Sequence, residues 1–484
     1  MINTKIIYKI LGSLLFIEVA LMMTCLGVAL VYDEDDVFSF LVSIVVTLVA
    51  GILCRLKGYK ADNNLSRRDA YLVVTVAWVV FSLFGTMPYM VGGYIDNFTD
   101  AFFETMSGFT TTGATIINDV ECLPHGILFW RSLTQWIGGL GIVFFTVAVF
   151  PIFGLGDMHL FAAESVGPMR AKLHPRISIT ARWILTVYIG LTVIATVAFY
   201  AAGMGWFDAL CHSMSAVSTG GFSTKQASIA AFASPLIEYV TVLFMFVGGV
   251  SLSLQYLFIF KGRVKELFRD TEFRTYLMFV LFFTAIISVG LFLTTTMTAE
   301  WSFRTALFQV VSIQTTTGFA TVDYTLWSPL LWLMLCGLMF VGACSGSTSG
   351  AMKCVRVATL FKVMWNEFKR IVHPNAVLPV RMARKIVPTS VQSAILAYTV
   401  IYFFMVIVGL VVNMAFGIDF LNSFGLSVAS VGNVGPALGN YGPMDSLALL
   451  PAGVKWFCSF QMLVGRLEFF AVLLLLTPIF WKRQ

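Results

Sequence analysis

Long apolar runs recur throughout this sequence, and each is about as long as a helix that crosses a lipid bilayer. A bilayer core about 30 Å thick needs about 20 mainly apolar residues in a spanning helix. Apolar residues make up 58% of the chain and charged residues only 12%, which is far from the composition of a soluble globular domain. Because a bilayer leaves no water for unpaired backbone groups, the chain is predicted to be an all-α polytopic membrane protein.

The runs predict ten full spans. They cover residues 7–31, 37–54, 70–93, 127–153, 183–203, 235–260, 275–297, 328–360, 390–415 and 453–480. Lys5 and Lys9 precede the first run, which has no obvious small-residue cleavage site. We therefore expect it to be an uncleaved first span rather than a signal peptide.

Basic residues set the expected orientation. Most of the 31 lysines and arginines fall in the N-terminus, in four connecting loops or at the C-terminus. The exceptions are Arg131, Lys225, Arg304, Lys455 and Arg466. The positive-inside rule places those loops and both termini in the cytoplasm. The net charge of +6 is thus a topology signal and gives no reason to expect a nucleic-acid partner.

One short pattern of hydroxylated residues and glycine recurs four times, and we call the copies the Thr/Gly segments. They are residues 110–114, 218–222, 315–319 and 432–436. Each follows a stretch too short to span the membrane, at 101–109, 206–217, 301–314 and 419–430. Glycine can adopt backbone torsions that let successive carbonyl oxygens face one axis. Four such segments around one axis would form a selectivity filter, a ring of carbonyls that replaces the hydration shell of a potassium-sized cation.

The order of these features predicts four parallel helix–pore-loop–helix repeats around one pore, preceded by two N-terminal transmembrane helices. The expected units are an N-terminal pair at 1–68 and pore repeats at 69–182, 183–274, 275–388 and 389–484. Each short stretch is expected to enter the membrane from outside as a half-helix. Such irregular backbone is tolerated at membrane depth only inside protein or beside a watery cavity.

Backbone carbonyls of the Thr/Gly segments are the expected ion ligands. The candidate residues are Thr110, Thr111, Thr112, Gly113, Ser218, Thr219, Gly220, Gly221, Thr315, Thr316, Thr317, Gly318, Gly432, Asn433, Val434 and Gly435. The ion itself is expected at Thr111, Thr112, Thr219, Gly220, Thr316, Thr317, Asn433 and Val434. The alternative is that these small residues only pack helices together. The fourth segment departs most from the pattern, so the ring should be asymmetric.

The chain resembles the TrkH subunits of the Trk/Ktr/HKT superfamily of potassium uptake proteins over essentially its whole length. The resemblance rests on the four segments, on 433–436 followed by Leu438 and Gly439, on 465–468, and on the extra N-terminal pair. In that family a glycine in all four segments goes with potassium permeation. The resemblance further implies a bacterial inner membrane location, a homodimer, and a cytosolic nucleotide-binding regulatory subunit resembling TrkA, docked on the basic inner loops.

A run of nine small residues, 342–350, lies within the predicted span 328–360. Small residues of this kind are poor helix formers and should break the helix near mid-membrane. Tight packing is one interpretation, and a flexible gating loop below the filter is the other, which the resemblance also implies. The candidate gate residues are Gly342, Gly346, Ser347, Thr348, Ser349, Gly350, Lys353 and Arg466.

Arg466 lies deep in an apolar run, where a charge is costly and normally faces a cavity or a partner. It could form a structural pair with a carboxylate or with carbonyls of the filter. In the family that the sequence resembles, the corresponding arginine is an electrostatic barrier on the permeation path, and we favour that role.

The sequence contains no Walker or dinucleotide motif, so no enzymatic activity and no cofactor are expected, and nucleotide control must come from a partner. The favoured function is channel-like potassium uptake driven by the membrane potential. The alternative is a symporter coupled to protons or sodium, although such transporters usually have inverted repeats and buried coupling acids. A membrane scaffold without transport would leave the four half-helices unexplained.

Overall fold

The structure, a computed structural model, describes residues 2–59, 66–144, 177–382 and 385–482. Its helices cover Thr4–Tyr32, Val37–Lys57, Arg67–Gly85, Met87–Val91, Phe98–Phe109, His125–Phe144, Ile177–Ala201, Trp206–Val217, Pro235–Gly248, Leu252–Lys261, Val264–Arg269, Thr271–Thr294, Ala299–Gln314, Pro329–Met339, Cys354–Val372, Thr389–Ala415, Phe420–Gly432, Ala452–Arg466, Phe470–Leu473 and Pro478–Trp481. Two short antiparallel strands, Arg381–Met382 and Lys385–Ile386, form a hairpin. The predicted all-α architecture is confirmed.

Six helical stretches among the described residues are long and apolar enough to cross a membrane, one of which joins the helices Arg67–Gly85 and Met87–Val91. They are Thr4–Tyr32, Val37–Lys57, Arg68–Val91, Arg182–Ala201, Thr271–Thr294 and Thr389–Ala415. Of the other four predicted spans, three are bent or interrupted rather than continuous, and two of these, 235–260 and 453–480, pass the same test only as bent pairs. The fourth, 127–153, is described only as His125–Phe144, and residues 145–153 lie outside the described part of the chain.

The predicted span 235–260 is broken into the helices Pro235–Gly248 and Leu252–Lys261, and the chain bends by 103° between them. Its first helix ends where Gly248 passes the C-terminal end of helix Trp206–Val217, and a β-carbon on Gly248 would lie 3.1 Å from the Thr219 side chain. The predicted span 453–480 is likewise broken, by 112°. There Glu468 and Phe469 have left-handed φ angles of 57° and 62°, which a right-handed helix cannot contain.

The predicted span 328–360 is also interrupted, between Pro329–Met339 and Cys354–Val372. This break contains the run of small residues, so the expected interruption of the helix is confirmed. In three of the four repeats, therefore, the helix that follows the short helix is bent or broken and does not cross the membrane as one straight helix.

The four short stretches form helices, as the sequence predicted. The half-length helices, numbered first to fourth, are Phe98–Phe109, Trp206–Val217, Ala299–Gln314 and Phe420–Gly432. Side chains cap three of their N-termini: Asn97 accepts from the Thr99 amide, Thr298 from Trp301 and Asp419 from Asn422. Such caps satisfy backbone donors that a helix start leaves free.

Packing between repeats closes a ring. Helix His125–Phe144 packs on the second half-length helix, Pro235–Gly248 on the third, and Pro329–Met339 on the fourth. Ala452–Arg466 then packs on the first half-length helix. Each repeat therefore supports the half-length helix of the next, and the last supports the first.

Candidate functional site

All four half-length helices end in the same backbone turn. Left-handed φ angles between 51° and 56° occur at Thr111, Thr219, Thr316 and Asn433. Two residues later φ is positive again, between 82° and 92°, at Gly113, Gly221, Gly318 and Gly435. Because β-branched residues rarely adopt left-handed torsions, their recurrence at three threonines indicates a geometry that the surroundings impose.

Matching hydrogen bonds fix each turn. The residue before the last glycine of each segment donates its amide to a carbonyl five residues earlier. The pairs are Thr112 to Ser107 at 2.9 Å, Gly220 to Ser215 at 2.8 Å, Thr317 to Ser312 at 2.9 Å and Val434 to Ala429 at 2.9 Å. This is the bonding of a Schellman motif. Each Thr/Gly segment therefore begins at a helix C-terminus, where the helix dipole favours a cation.

The glycines of the four segments make close backbone contacts around a ring. A β-carbon on Gly113 would overlap the carbonyl oxygen of Gly220, and one on Gly221 would overlap that of Thr317. A β-carbon on Gly318 would overlap the Val434 carbonyl, and one on Gly435 would overlap the Thr112 carbonyl. The structure thus brings all four segments together around one axis.

The same four glycines line one cavity of about 70 Å³. Polar side chains of Arg131, Lys225, Gln226 and Asp445 also line it. Lys225 is paired with Glu121 at 3.3 Å. The cavity is lined by the ring glycines and by residues that come after them in the chain. The topology prediction places this side of the ring outside the cell.

The small-residue loop, 342–350, packs against the opposite side of the segments. Thr348 Oγ1 donates to the Val217 carbonyl at 3.0 Å and accepts from Thr219 Oγ1 at 3.2 Å. The Gly350 amide donates to Thr316 Oγ1 at 2.6 Å. These contacts place the loop at the C-terminal ends of the second and third half-length helices.

Arg466 is 2% exposed and connects this loop to the first repeat. Its Nη1 donates to the Thr348 carbonyl at 2.7 Å, and its Nη2 donates to the Gly138 carbonyl at 3.0 Å. None of the ion pairs found in the described ranges puts a carboxylate on Arg466. Its observed partners are carbonyls of the loop and of a helix, rather than carbonyls of the Thr/Gly segments.

The other candidate cation of the gate, Lys353, is 7% exposed. Its Nζ donates to the carbonyl and to the hydroxyl of Ser349, the latter at 3.2 Å. Lys353 therefore holds the end of the loop. Arg356, three residues later, forms an ion pair with Glu468 in the break of the last helix.

Several buried polar residues at the site were not predicted. Glu272 accepts the amides of Ser345, at 2.6 Å, and Val355, at 3.2 Å, so one carboxylate oxygen holds both sides of the helix break. Gln135 contacts the second Thr/Gly segment. A polar residue inside or beside an apolar run is the sequence signal that could have identified both.

A buried ion pair supports the outer ends of two segments. Arg131 Nε lies 3.0 Å from Glu104 Oε1, and both side chains are almost fully buried. Arg131 also donates to the Ser223 carbonyl at 3.0 Å and to Thr115 Oγ1 at 3.2 Å. The sequence placed Arg131 among the exceptions to the charge pattern, and the structure shows what it contacts.

A family model for TrkH, described as a cation transport protein, matches residues 37–482. The chain belongs to the TrkH family. This TrkH chain is 39% identical to the "Trk system potassium uptake protein TrkH" of Halomonas elongata, covering 99% of this chain and 100% of that protein. It is 36% identical to the protein of the same name from Escherichia coli strain K12, covering 99% of each.

The crystal structure of the "Potassium Transporter TrkH from Vibrio parahaemolyticus" has the same fold. The TM-score is 0.91 at 34% identity, and the match covers 100% of both chains. The resemblance that the sequence suggested is thereby confirmed. This TrkH chain is a multi-pass membrane protein of a transporter family and is not an enzyme.

Proposed function

We propose that this chain mediates potassium uptake across the bacterial cytoplasmic membrane, through a channel-like pore formed by its four repeats. The observation that carries the proposal is the ring in which each Thr/Gly glycine abuts a carbonyl of the neighbouring segment. Backbone carbonyls at such a constriction replace the hydration shell of an ion. Four helix C-termini directed at the ring add a favourable field for a cation.

The ion is assigned as potassium for two reasons. All four segments carry glycine at the aligned position, the pattern that goes with potassium permeation in this family. The relatives with 36–39% identity are themselves potassium uptake proteins. An inside-negative potential supplies about 2.3 kcal/mol per charge per 100 mV, so uptake through the pore needs no chemical step in this chain.

The small-residue loop, with Lys353 and Arg466, is the proposed gate. The loop closes the helix-terminal side of the ring, and its hydrogen bonds to the Thr219 and Thr316 hydroxyls hold it there. Arg466 places a buried positive charge beside it, which opposes the passage of a cation. Release of the loop would open the path.

We further propose that the protein acts as a homodimer with both termini in the cytoplasm, bound to a TrkA-like nucleotide-binding subunit. The inner loop between the second and third repeats presents a suitable surface. Its basic side chains Lys261, Arg263, Lys265 and Arg269 are exposed. The repeat boundaries 69–182, 183–274, 275–388 and 389–484 are part of the same proposal.

Substitution of one ring glycine tests the filter. In Gly113→Ser the added side chain collides with the Gly220 carbonyl and occupies a left-handed φ of 82°, so the ring must distort. We expect potassium-selective flux that follows the imposed voltage in proteoliposomes of the wild-type protein, and an added sodium leak in the variant.

Gly27→Ser is the matched control, because within the described parts of the chain no neighbouring group lies within 4 Å of a β-carbon at Gly27. It should leave both fluxes as they are in the wild type. A wild-type protein that conducts sodium and potassium equally, or a Gly113→Ser variant with unchanged selectivity, would contradict the assignment of the ring as the filter.

Glu18 gives a specific reason to test the coupled transporter as well. It lies inside the first span with 0% exposure, and neither carboxylate oxygen has a hydrogen-bond partner in the described part of the structure. Buried acids of this kind carry coupling protons in many transporters. At fixed voltage, the channel predicts potassium flux independent of an imposed pH gradient, whereas proton coupling predicts gradient-driven flux that Glu18→Gln abolishes.

A further inference from the structure

A four-residue pattern recurs in the second helix of each repeat. It reads Met245-Phe246-Val247-Gly248, Met339-Phe340-Val341-Gly342 and Met462-Leu463-Val464-Gly465 in the last three repeats. The first repeat has Gln135-Trp136-Ile137-Gly138. Three methionines and one glutamine therefore occupy one position of the repeat, and the first repeat is the exception.

The structure supports this alignment. A β-carbon on Gly138 would overlap the carbonyl of Phe109, and one on Gly465 would overlap that of Val431. A β-carbon on Gly248 would lie 3.2 Å from the carbonyl of Val217. In each of these three repeats the glycine therefore passes the C-terminal end of the half-length helix of its own repeat.

The second Thr/Gly segment is an exception of its own. Before the last glycine it has Gly220, where the others have Thr112, Thr317 and Val434. In the first and third segments the threonine hydroxyl at this position is bonded to the hydroxyl two residues earlier. These pairs are Thr110 with Thr112 at 2.8 Å and Thr315 with Thr317 at 2.7 Å. Gly220 has no hydroxyl and cannot form this brace.

The two residues that depart from the repeat pattern, Gln135 and Gly220, contact each other. Gln135 Nε2 donates to the Gly220 carbonyl at 2.7 Å, and Gln135 Oε1 accepts from the Phe222 amide at 3.0 Å. The Gln135 side chain is fully buried. A β-carbon on Gly220 would overlap the Gln135 amide and lie 2.9 Å from its Cβ. The absence of a side chain at 220 is what allows the glutamine to reach the backbone.

The geometry points to Gln135 as a positioning residue that sets the orientation of the Gly220 carbonyl in the ring. This inference rests on the proposed potassium function and deepens it. The aligned carbonyls are those of Thr112, Gly220, Thr317 and Val434. Within the described residues, the Gly220 carbonyl is the one of these four that accepts a hydrogen bond from a side chain. Gln135 does for the second segment what the paired hydroxyls do for the first and third, and it does so from the preceding repeat.

Gln135→Met, which installs the residue of the other three repeats, tests the inference. The readout is the potassium-to-sodium permeability ratio from reversal potentials of the purified protein in bilayers. We expect the ratio to fall about fivefold, the factor that corresponds to one ordinary hydrogen bond. In its ionised form, Gln135→Glu keeps the acceptor for Phe222 but has no donor for the Gly220 carbonyl, so the ratio should fall too once the pH is high enough to ionise the carboxyl group.

Rescue separates positioning from general damage. Gly220→Thr alone collides with Gln135 and should disrupt the filter. Gln135→Met combined with Gly220→Thr gives the methionine and the threonine that aligned positions of other repeats carry, and should restore the ratio. Gly220 is not among the residues with positive φ, so its backbone accepts threonine. If Gln135→Met fails to fold, the same rescue is measured as recovery of monodisperse protein by the double variant.

Gln461→Met is the matched control. Gln461 is equally buried, and its Nε2 donates to the Met405 carbonyl and to Ser427 Oγ, outside the four segments. It should leave the ratio unchanged. A wild-type ratio in Gln135→Met and Gln135→Glu, with an altered ratio in Gly113→Ser, overturns this inference and leaves the proposed function intact. An unselective wild-type protein overturns both.

Discussion

At the scale of single residues, the site depends on left-handed backbone at positions that sequence statistics disfavour. Thr111, Thr219 and Thr316 hold φ angles of 51°, 54° and 56°, and Asn433 holds 53°. Asparagine accepts this region more readily than a β-branched residue does. The fourth segment, which departs most in sequence, is therefore the one with the least strained residue at this position.

Thr111→Asn tests this strain at a buried position, where the new amide must also find hydrogen-bond partners. The buried Thr111 hydroxyl has no hydrogen-bond partner in the described structure, so its loss costs no contact seen there. We expect the free energy of unfolding to rise by about 1 kcal/mol, the lower end of the cost of such backbone strain. Thermal unfolding in detergent measures the change.

Thr316→Asn is the comparison, because Thr316 Oγ1 accepts the Gly350 amide at 2.6 Å. Loss of this buried bond costs about 1 kcal/mol or more and should cancel or reverse the gain. Equal stabilisation at both positions would show that the hydroxyl contact to the loop contributes nothing.

Repetition made the ring residues recognisable from sequence, whereas the residues that brace them were not. The Thr/Gly pattern is local, so four copies can be found without knowledge of the fold. Gln135 and Gly220 are 85 positions apart, and their contact exists only after the first and second repeats have packed. A single glutamine near the middle of an apolar run does not indicate which backbone group it will bind.

At the scale of helices, sequence length and capping predicted the half-length helices, but hydropathy overestimated the spans. Hydropathy measures whether a run prefers lipid or protein interior to water, and a broken helix buried in protein satisfies it as well as a straight one. The break at 342–350 was predicted because small residues fill it. The bend after Gly248 arises from packing against the second half-length helix, which hydropathy does not report.

Glu272 holds the small-residue loop to the helix that follows it. It accepts the amides of Ser345 and Val355 from the two sides of the break. When ionised, its carboxylate accepts these bonds more strongly than the neutral amide of a glutamine would. Glu272→Gln should loosen the loop and raise the open probability of single channels several-fold without changing ion selectivity.

Glu266→Gln is the matched control for this measurement. Glu266 is half-exposed and pairs with the neighbouring Arg263, so its loss should leave gating unchanged. Unaltered open probability in Glu272→Gln, with normal stability, would remove Glu272 from the gating mechanism.

At the scale of the whole molecule, four homologous repeats form a ring whose members have diverged. The first and third segments are braced by hydroxyl pairs, and the second by a glutamine. In the fourth, Asn433 donates to Thr112 Oγ1 at 3.0 Å and to the Met462 carbonyl at 2.9 Å. The run of small residues occurs in the third repeat. Ring closure needs four similar backbones, whereas the proposed gate needs one repeat to differ. The asymmetry is therefore what the proposal expects of one chain that combines both.

The proposed orientation places the cavity above the glycines outside the cell and the small-residue loop inside. Cys122 tests it, because this residue lies in the loop between the first Thr/Gly segment and helix His125–Phe144 and is exposed. Six of the other cysteines are buried. Cys54 is partly exposed and lies near the C-terminal end of helix Val37–Lys57, beside Arg55, on the side that the topology prediction places in the cytoplasm. A membrane-impermeant maleimide should therefore label Cys122 in right-side-out vesicles and not in sealed inside-out vesicles.

The labelling rate carries a second, independent check on this loop. Cys122 Sγ donates to Asp119 Oδ2 at 2.9 Å, and this hydrogen bond raises the pKa of the Cys122 thiol. Because the thiolate is the reactive form, labelling at neutral pH should be slow and should accelerate as the pH rises. Asp119→Asn removes the charge, lowers the pKa and should speed labelling at neutral pH, while Cys122→Ser should abolish it. Labelling of Cys122 from inside-out vesicles alone would reverse the topology, and with it the assignment of the loop to the cytoplasmic side of the ring.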